Sequence, residues 1–154
     1  MRRSILCAAA ITACLAHTAS AQVPALWFGT WTLNVAKSTY SSQPPYKRAT
    51  RRIRPSNDGG ITIVDDLVRP RGGILHLEWT GKLDGVDYPV QGVEIVLTNA
   101  YRAIDDRTWD VTQKIDGQAV ATVRLTLSPD GRTITSVSSS GSERAMAVYE
   151  KNGP

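Results

Sequence analysis

Short segments of alternating apolar and polar residues, separated by turn residues, constrain the fold of this 154-residue chain most strongly. After residue 21, no segment keeps the 3.6-residue period of a long amphipathic helix. Segments rich in Val, Ile, Thr and aromatic residues lie between clusters of Gly, Pro, Asp and Asn, which is typical of strands joined by tight turns. The predicted strands cover residues 27–34, 48–54, 60–68, 74–82, 93–99, 108–115, 119–128, 133–140 and 145–151.

Residue pairs suited to tight hairpins connect the last four predicted strands. Asp116-Gly117, Asp130-Gly131 and Gly141-Ser142 contain residues that adopt positive φ readily. Asp84-Gly85 carries the same hairpin signal further upstream. Because short hairpins join antiparallel neighbours, residues 108–151 are predicted to form a four-strand meander. The chain is therefore predicted to be all-β, an antiparallel up-and-down barrel of about 8–9 strands, in preference to a Greek-key sandwich.

Period-two alternation also predicts which side chains face the barrel interior. The residues expected to line a ligand cavity are Leu77, Trp79, Trp109, Gln113, Val123 and Leu125. Gln113 is the one polar residue among them, whereas an enzyme needs at least two polar groups that converge inside. The pattern therefore favours binding of a mostly apolar molecule over catalysis.

The first 21 residues have the layout of a secretory signal peptide. A basic start is followed by an apolar run, and small residues precede Gln22. The apolar run is shorter than the roughly 20 residues that cross a bilayer. We expect cleavage after Ala21, a single barrel domain at residues 22–154, and a periplasmic or secreted location.

Both cysteines, Cys7 and Cys14, lie in this leader, so the processed domain is expected to contain no disulfide. Residues 11–14 resemble a bacterial lipobox, which makes a lipid anchor at Cys14 the alternative to simple cleavage. Loss of Arg2 and Arg3 with the leader lowers the formal net charge from +4 to +2. A chain this mildly basic gives no indication of a nucleic-acid partner.

The first predicted strand carries a motif that resembles a known superfamily. Gly29-Thr30-Trp31 resembles the Gly-x-Trp signature of lipocalins. The wider resemblance is to small exported bacterial lipocalin-like proteins, in which stretches similar to residues 29–38, 84–90, 128–133 and 148–151 occur in this order. Because the functions of that group are mostly unassigned, the resemblance implies a calycin-type β-barrel and an exported location more than an activity.

In lipocalins the tryptophan of this motif closes one end of the barrel. The resemblance therefore implies a barrel-closing role for Gly29 and Trp31, with the glycine leaving room beside the indole rings. An arginine from a late strand often packs over this tryptophan, and Arg124 and Arg144 are the candidates here.

The titratable residues show no catalytic or metal-binding constellation. His76 is the only histidine after residue 21, and one histidine supplies neither a zinc cluster nor a serine-hydrolase triad. Neighbouring strand residues point to opposite faces, so Asp65-Asp66 is not a dyad and one of the two must point inward. Asp105-Asp106 most simply caps a turn. We therefore expect no catalytic residues, no metal site and no cofactor.

Basic residues are concentrated between positions 47 and 71. They are Lys47, Arg48, Arg51, Arg52, Arg54, Arg69 and Arg71. Charges of this kind protect an edge strand from pairing with another chain. The alternative interpretation is a basic lip, formed by Arg48, Arg51 and Arg52, that attracts an anionic ligand or makes a weak contact with anionic lipid.

These patterns lead to one main hypothesis and two alternatives. The main hypothesis is an exported lipocalin-like barrel that binds a small, mostly apolar molecule, with an anionic group on that molecule left open. The first alternative is a cofactor-independent enzyme of the isomerase or lyase type. The second alternative is a solid barrel that contacts a partner through its basic face.

Overall fold

The computed structural model describes residues 22–42 and 44–153. The expected leader at residues 1–21, including Cys7 and Cys14, lies outside the described residues. Within the described ranges, no helix has both the length and the apolar character needed to cross a membrane.

Ten antiparallel strands within these ranges form a closed barrel, preceded by the 3-10 turn Ala25–Trp27. Each strand pairs with its neighbours in sequence, and the last strand pairs with the first to close the sheet. The predicted all-β up-and-down barrel is confirmed, with ten strands in place of eight or nine. The strands are β1 Gly29–Tyr40, β2 Arg48–Pro55, β3 Ile61–Val68, β4 Ile74–Gly81, β5 Asp84–Gln91, β6 Leu97–Asp105, β7 Thr108–Ile115, β8 Gln118–Leu127, β9 Thr133–Ser140 and β10 Glu143–Lys151.

The strand that the sequence pattern did not predict is β5. Its residues are mostly exposed and include Pro89, so it lacks the alternating apolar face by which a strand is recognised. The Asp84-Gly85 pair, predicted as a hairpin turn, forms the first two residues of the strand, with Gly85 at a φ of +79°. The register of β5 against β6 shifts between Asp84 and Asp87, which accommodates this irregular start.

Two predicted strand boundaries also differ from the structure. β1 extends to Tyr40, because a register shift against β10 keeps its polar second half in the sheet. The strand expected at residues 93–99 begins only at Leu97, and Ile95 and Val96 are exposed in the preceding turn.

The barrel has one closed end and one open end. The turns at 41–47, 69–73 and 92–96 surround the open end. Burial of large apolar side chains contributes about 1.5–3 kcal/mol each and stabilises the closed end most. The most completely buried side chains lie toward that end and are Trp27, Trp31, Ile53, Ile61, Trp109, Leu125, Leu127 and Ile134.

Candidate ligand-binding site inside the barrel

Three tryptophans fill the closed end of the barrel. Trp31 is fully buried and donates its indole N–H to the carbonyl oxygen of Trp27 at 3.1 Å. The ring of Trp27 stacks on that of Trp109 with the ring centroids 3.7 Å apart. Stacked rings of this size bury much apolar area and fix each other's orientation. Trp109 therefore belongs to this closing layer, whereas the sequence pattern placed it in a cavity wall.

A lysine packs over Trp31, in place of the two candidate arginines. Lys151 Nζ lies 4.9 Å from the centroid of the Trp31 ring and donates a hydrogen bond to the carbonyl oxygen of Leu26 at 2.7 Å. The register between β1 and β10 places Lys151 directly opposite Trp31. Arg124 instead pairs with a carboxylate on the outer face of the barrel, and Arg144 bonds to main-chain oxygens in the β9–β10 turn.

A buried ion pair lies inside the barrel beside this tryptophan layer. Arg51 on β2 donates from Nε and Nη2 to the two carboxylate oxygens of Asp65 on β3, at 2.8 Å each. Both side chains are only 15% exposed, and the guanidinium carbon lies 5.5 Å from the ring centroid of Tyr149. Burial acts to lower the pKa of Arg51, but the charge and hydrogen bonds of Asp65 outweigh burial and raise that pKa well above its ordinary value.

Arg51 therefore does not share a basic lip with Arg48 and Arg52. On β2, Arg51 lies on the same face as the buried residues Ala49 and Ile53, which point into the barrel interior. Arg48 and Arg52 occupy the other set of alternate positions and are exposed. The expected three-residue lip is corrected accordingly, because a strand sends successive side chains to opposite faces.

Asp65 and Asp66 diverge in the same way, and the prediction that one of them points inward is confirmed. Asp66 lies on the outer face, where Arg52 donates to it at 2.8 Å and Nδ1 of His76 lies 2.6 Å from it. The hydrogen bond with His76 and the nearby charge of Arg52 lower the pKa of Asp66. His76 is thus an exposed partner of a surface carboxylate.

Next to the buried ion pair, the barrel encloses a cavity of about 290 Å³. This volume is just below the roughly 300–1,000 Å³ found for small-molecule sites. Side chains therefore leave unfilled space in the barrel at this level. The cavity's apolar lining residues are Leu33, Pro45, Val111, Val123, Leu125, Ala145 and Ala147, and its polar lining residues are Tyr40, Tyr46, Arg51, Tyr101, Gln113, Ser136, Ser138 and Tyr149.

Several polar groups of this lining make no hydrogen bond to any other described side chain or main-chain atom. They are the side chains of Tyr101, Gln113, Ser136, Ser138 and Tyr149. Burial raises the pKa of Tyr101 and of Tyr149 to about 12, so both phenols stay protonated at neutral pH and are able to donate. Polar groups inside a protein are normally satisfied by protein, water or ligand. The interior therefore offers a bound molecule several donors and acceptors, where the sequence pattern indicated Gln113 alone.

A second, smaller cavity of about 60 Å³ adjoins the first, and Arg51, Tyr101 and Gln113 line both. Trp79 donates its indole N–H to the carbonyl oxygen of Asn99 at 3.1 Å on its wall. The side-chain oxygen of Asn99 is buried with no hydrogen-bond partner among the described residues. A space of this size accommodates a water molecule or a small group of a ligand.

The residues predicted to contact a ligand occupy different places in the barrel. Gln113, Val123 and Leu125 line the larger cavity, and Leu77 and Trp79 line the smaller one. The sixth predicted residue, Trp109, lies in the closing layer, where it stacks on Trp27.

Sequence reasoning missed most of the polar lining residues. Tyr101 lies beyond the strand predicted at residues 93–99, so its inward orientation was not visible. Ser136 and Ser138 lie two and four positions after the buried Ile134, so they share its inward face, and this spacing is the signal that would have found them. Across residues 22–42 and 44–153, no three His, Cys, Asp or Glu side chains come together as a metal site requires.

Comparisons with known proteins support the fold. Neither a protein-family model nor a curated protein sequence matches this chain. The wild-type fluorescent protein UnaG superimposes with a TM-score of 0.57 at 14% identity, covering 81% of this chain and 96% of the UnaG chain. A single-residue mutant of UnaG gives a TM-score of 0.57 at 13% identity, covering 84% of this chain and 98% of the other. The chain thus shares the closed antiparallel barrel fold of these structures.

Proposed function

We propose that this protein binds one small amphipathic molecule reversibly inside the barrel. The observation that carries this proposal is a cavity of about 290 Å³ whose lining combines apolar side chains with polar side chains that other protein groups leave unbonded. The apolar side chains favour a hydrocarbon portion through the hydrophobic effect. The polar side chains favour groups that accept or donate hydrogen bonds, because a polar ligand group that is buried without such partners costs binding energy.

The ion pair indicates which polar groups suit this site. Asp65 already neutralises Arg51, so the pair presents a dipole with no net charge. A ligand carboxylate would approach Asp65 in a region of low dielectric constant, where repulsion between like charges is strong. Tyr101, Tyr149 and Gln113 supply uncharged partners instead. The arrangement therefore favours a neutral ligand with hydroxyl, carbonyl or amide groups over the anionic ligand that the sequence left open.

The experiment that tests this proposal fills the cavity with an added side chain. Ser138 lines the cavity, whereas its neighbour Ser139 lies on the outer face of β9. Solvent extraction and mass spectrometry of the purified protein should recover the same small molecule from the wild type and from Ser139→Leu. Ser138→Leu should lose it. The absence of any co-purified molecule from the wild type, or its full retention in Ser138→Leu, would overturn the proposal.

A cofactor-independent isomerase or lyase is the second candidate, because Arg51, Asp65 and Tyr101 converge in the interior as an enzyme requires. Binding is better supported, since Arg51 already occupies both oxygens of Asp65 and the raised pKa of Tyr101 disfavours its use as a base. Incubation of the extracted molecule with fresh protein distinguishes the two candidates. Recovery of a new isomer or elimination product, abolished by Asp65→Asn, would establish the enzyme.

We also propose that the protein is exported and belongs with small bacterial lipocalin-like proteins. The support is the leader layout of residues 1–21 and the ordered motifs that begin with Gly29-Thr30-Trp31. N-terminal sequencing of the mature protein should begin at Gln22. A lipid-modified N-terminus at Cys14 would instead establish a lipoprotein.

A further inference from the structure

One side of the open end carries a cluster of cations. The basic rim consists of Lys47 immediately before β2, Arg48 at its first position, and Arg69 and Arg71 in the β3–β4 turn. The main-chain N–H of Lys47 donates to the carbonyl oxygen of Val68 at 2.8 Å, which holds the two segments side by side. No ion pair joins any of the four cations to a carboxylate among the described residues.

The acidic residues nearest in sequence do not neutralise the basic rim. Asp65 is held inside the barrel by Arg51, and Asp66 is engaged by Arg52 and His76 on the outer face. Of the other acids at the open end, Glu94 and Asp116 lie in other turns, and Glu143 accepts a hydrogen bond from Ser41 in the β1–β2 loop at 2.6 Å. The basic rim therefore presents positive charge to solvent at one side of the barrel mouth.

Apolar residues are exposed between and beside these cations. A groove of about 1020 Å³ runs between the β1–β2 loop and the β3–β4 turn, and its lining includes the exposed Val35, Pro45 and Pro70 and the half-buried Pro44 and Tyr46. Ile74, the first residue of β4, is 70% exposed and pairs with Val68 at the same edge. Exposed apolar residues ringed by cations are typical of a surface that contacts another phase or molecule.

We propose that the basic rim and its apolar groove dock onto an anionic lipid bilayer. Cations near a membrane are attracted by the negative surface potential of anionic lipids, and exposed aliphatic side chains partition into the interfacial layer. A nucleic acid would satisfy the cations but offers no apolar phase to an isoleucine that is 70% exposed beside them. A bilayer satisfies both features.

This docking has a consequence for the barrel interior. Pro45 and Tyr46 line the outer groove and also the interior cavity of about 290 Å³. A membrane bound at the groove therefore lies at the mouth of that cavity, where an amphipathic molecule exchanges between bilayer and barrel. Docking itself does not depend on the interior ligand, so the two proposals fail separately.

The test measures co-sedimentation with vesicles made of phosphatidylcholine alone or mixed with phosphatidylglycerol. The variant K47Q/R69Q/R71Q removes three charges from the basic rim. The matched control K82Q/R107Q/R132Q removes three exposed charges from turns at the closed end. Each cation near an anionic membrane contributes enough attraction that the loss of three should weaken partitioning by about 100-fold.

The wild type and the closed-end control should bind phosphatidylglycerol vesicles, bind pure phosphatidylcholine weakly, and lose binding in about 1 M salt because of charge screening. Ile74→Ser should weaken binding without changing its salt dependence. Equal binding of the basic-rim variant and the closed-end control would overturn the proposal. So would binding of the wild type to heparin or an acidic protein but not to anionic vesicles.

Discussion

Arg51 holds Asp65 inside the barrel by two parallel hydrogen bonds of 2.8 Å, in the same geometry that joins Arg124 to Asp110 on the outer surface. In both cases the two residues are directly opposite each other on neighbouring strands. The side chains of Arg51 and Asp65 are each 15% exposed, whereas the side chain of Arg124 is 60% exposed. The chain therefore contains an internal comparison between a buried and a solvated ion pair of matched shape.

The first prediction uses this comparison. Asp65→Asn leaves the Arg51 guanidinium buried without its counter-charge and should lower the free energy of unfolding by about 3–5 kcal/mol. Asp110→Asn removes the carboxylate of an exposed pair and should cost about 0–1 kcal/mol. Urea denaturation at neutral pH measures both values. Similar losses for the two variants would mean that water hydrates Arg51 through the cavity, so that the pair is not desolvated.

The sequence predicted the strands in which apolar and polar residues alternate regularly, and it failed to predict the strand that lacks this alternation. β7 to β10 are joined by short turns with clear turn residues, and β8 keeps one apolar face, so the meander and the inward positions of Val123 and Leu125 follow from turn residues and period two. β5 lacks an apolar face because it is exposed over much of its length, and its strand character comes from pairing with β6. Tertiary pairing of this kind leaves no local signal in the sequence.

The polar interior was the larger omission, and its cause is also physical. Alternation alone places Arg51 on the face of Ala49 and Ile53, but a charged residue is rarely buried without a partner. That partner, Asp65, lies on another strand, and the register that brings the two together is set by the whole barrel. A charge run in the sequence therefore indicated a surface lip, although one of its members lies inside.

The second prediction concerns alkaline pH. The folded-state pKa of Tyr101 and of Tyr149 is about 12, above the ordinary value of 10.0, so the unfolded chain loses these protons first as pH rises. Their contribution to stability is fully present below about pH 10 and is lost as pH approaches 12. A shift of two pKa units corresponds to about 3 kcal/mol per residue at most. Urea denaturation across this pH range should show the loss, and Tyr101→Phe/Tyr149→Phe should flatten it. A slope that persists unchanged in the double variant would assign the loss to other groups.

The third prediction separates the closing layer from the cavity wall. Trp31 and Trp109 are both fully buried, so Trp31→Ala and Trp109→Ala should each lower the free energy of unfolding by about 3–5 kcal/mol. Val123 borders the cavity and has fewer packing contacts to lose, so Val123→Ala should cost about 1 kcal/mol or less. Thermal and urea denaturation of the three variants provide the comparison. A Trp109→Ala cost as small as that of Val123→Ala would place Trp109 in a cavity wall after all.

The last prediction concerns the short contact between β4 and β5, which pair only at Glu78 with Gln91 and at Trp79 with Val90. Gly92 follows Gln91 directly, at a φ of +96°, and an added Cβ there would clash with the main-chain carbonyl oxygen of His76.

Gly72 is the matched control, because its φ is +93° and an added Cβ would meet nothing within 4 Å. Gly72→Ala should therefore cost only the left-handed backbone strain, about 1–2 kcal/mol. Gly92→Ala adds a clash with main-chain atoms, which forces the two strands apart, so its cost should be clearly larger. Trp79 and Val90 are paired at this contact and line the smaller cavity. Amide hydrogen exchange at these two residues should also be faster in Gly92→Ala than in the wild type. Equal costs for the two glycine variants, with unchanged exchange at these amides, would show that β5 yields to the methyl group and that this contact does not limit barrel stability.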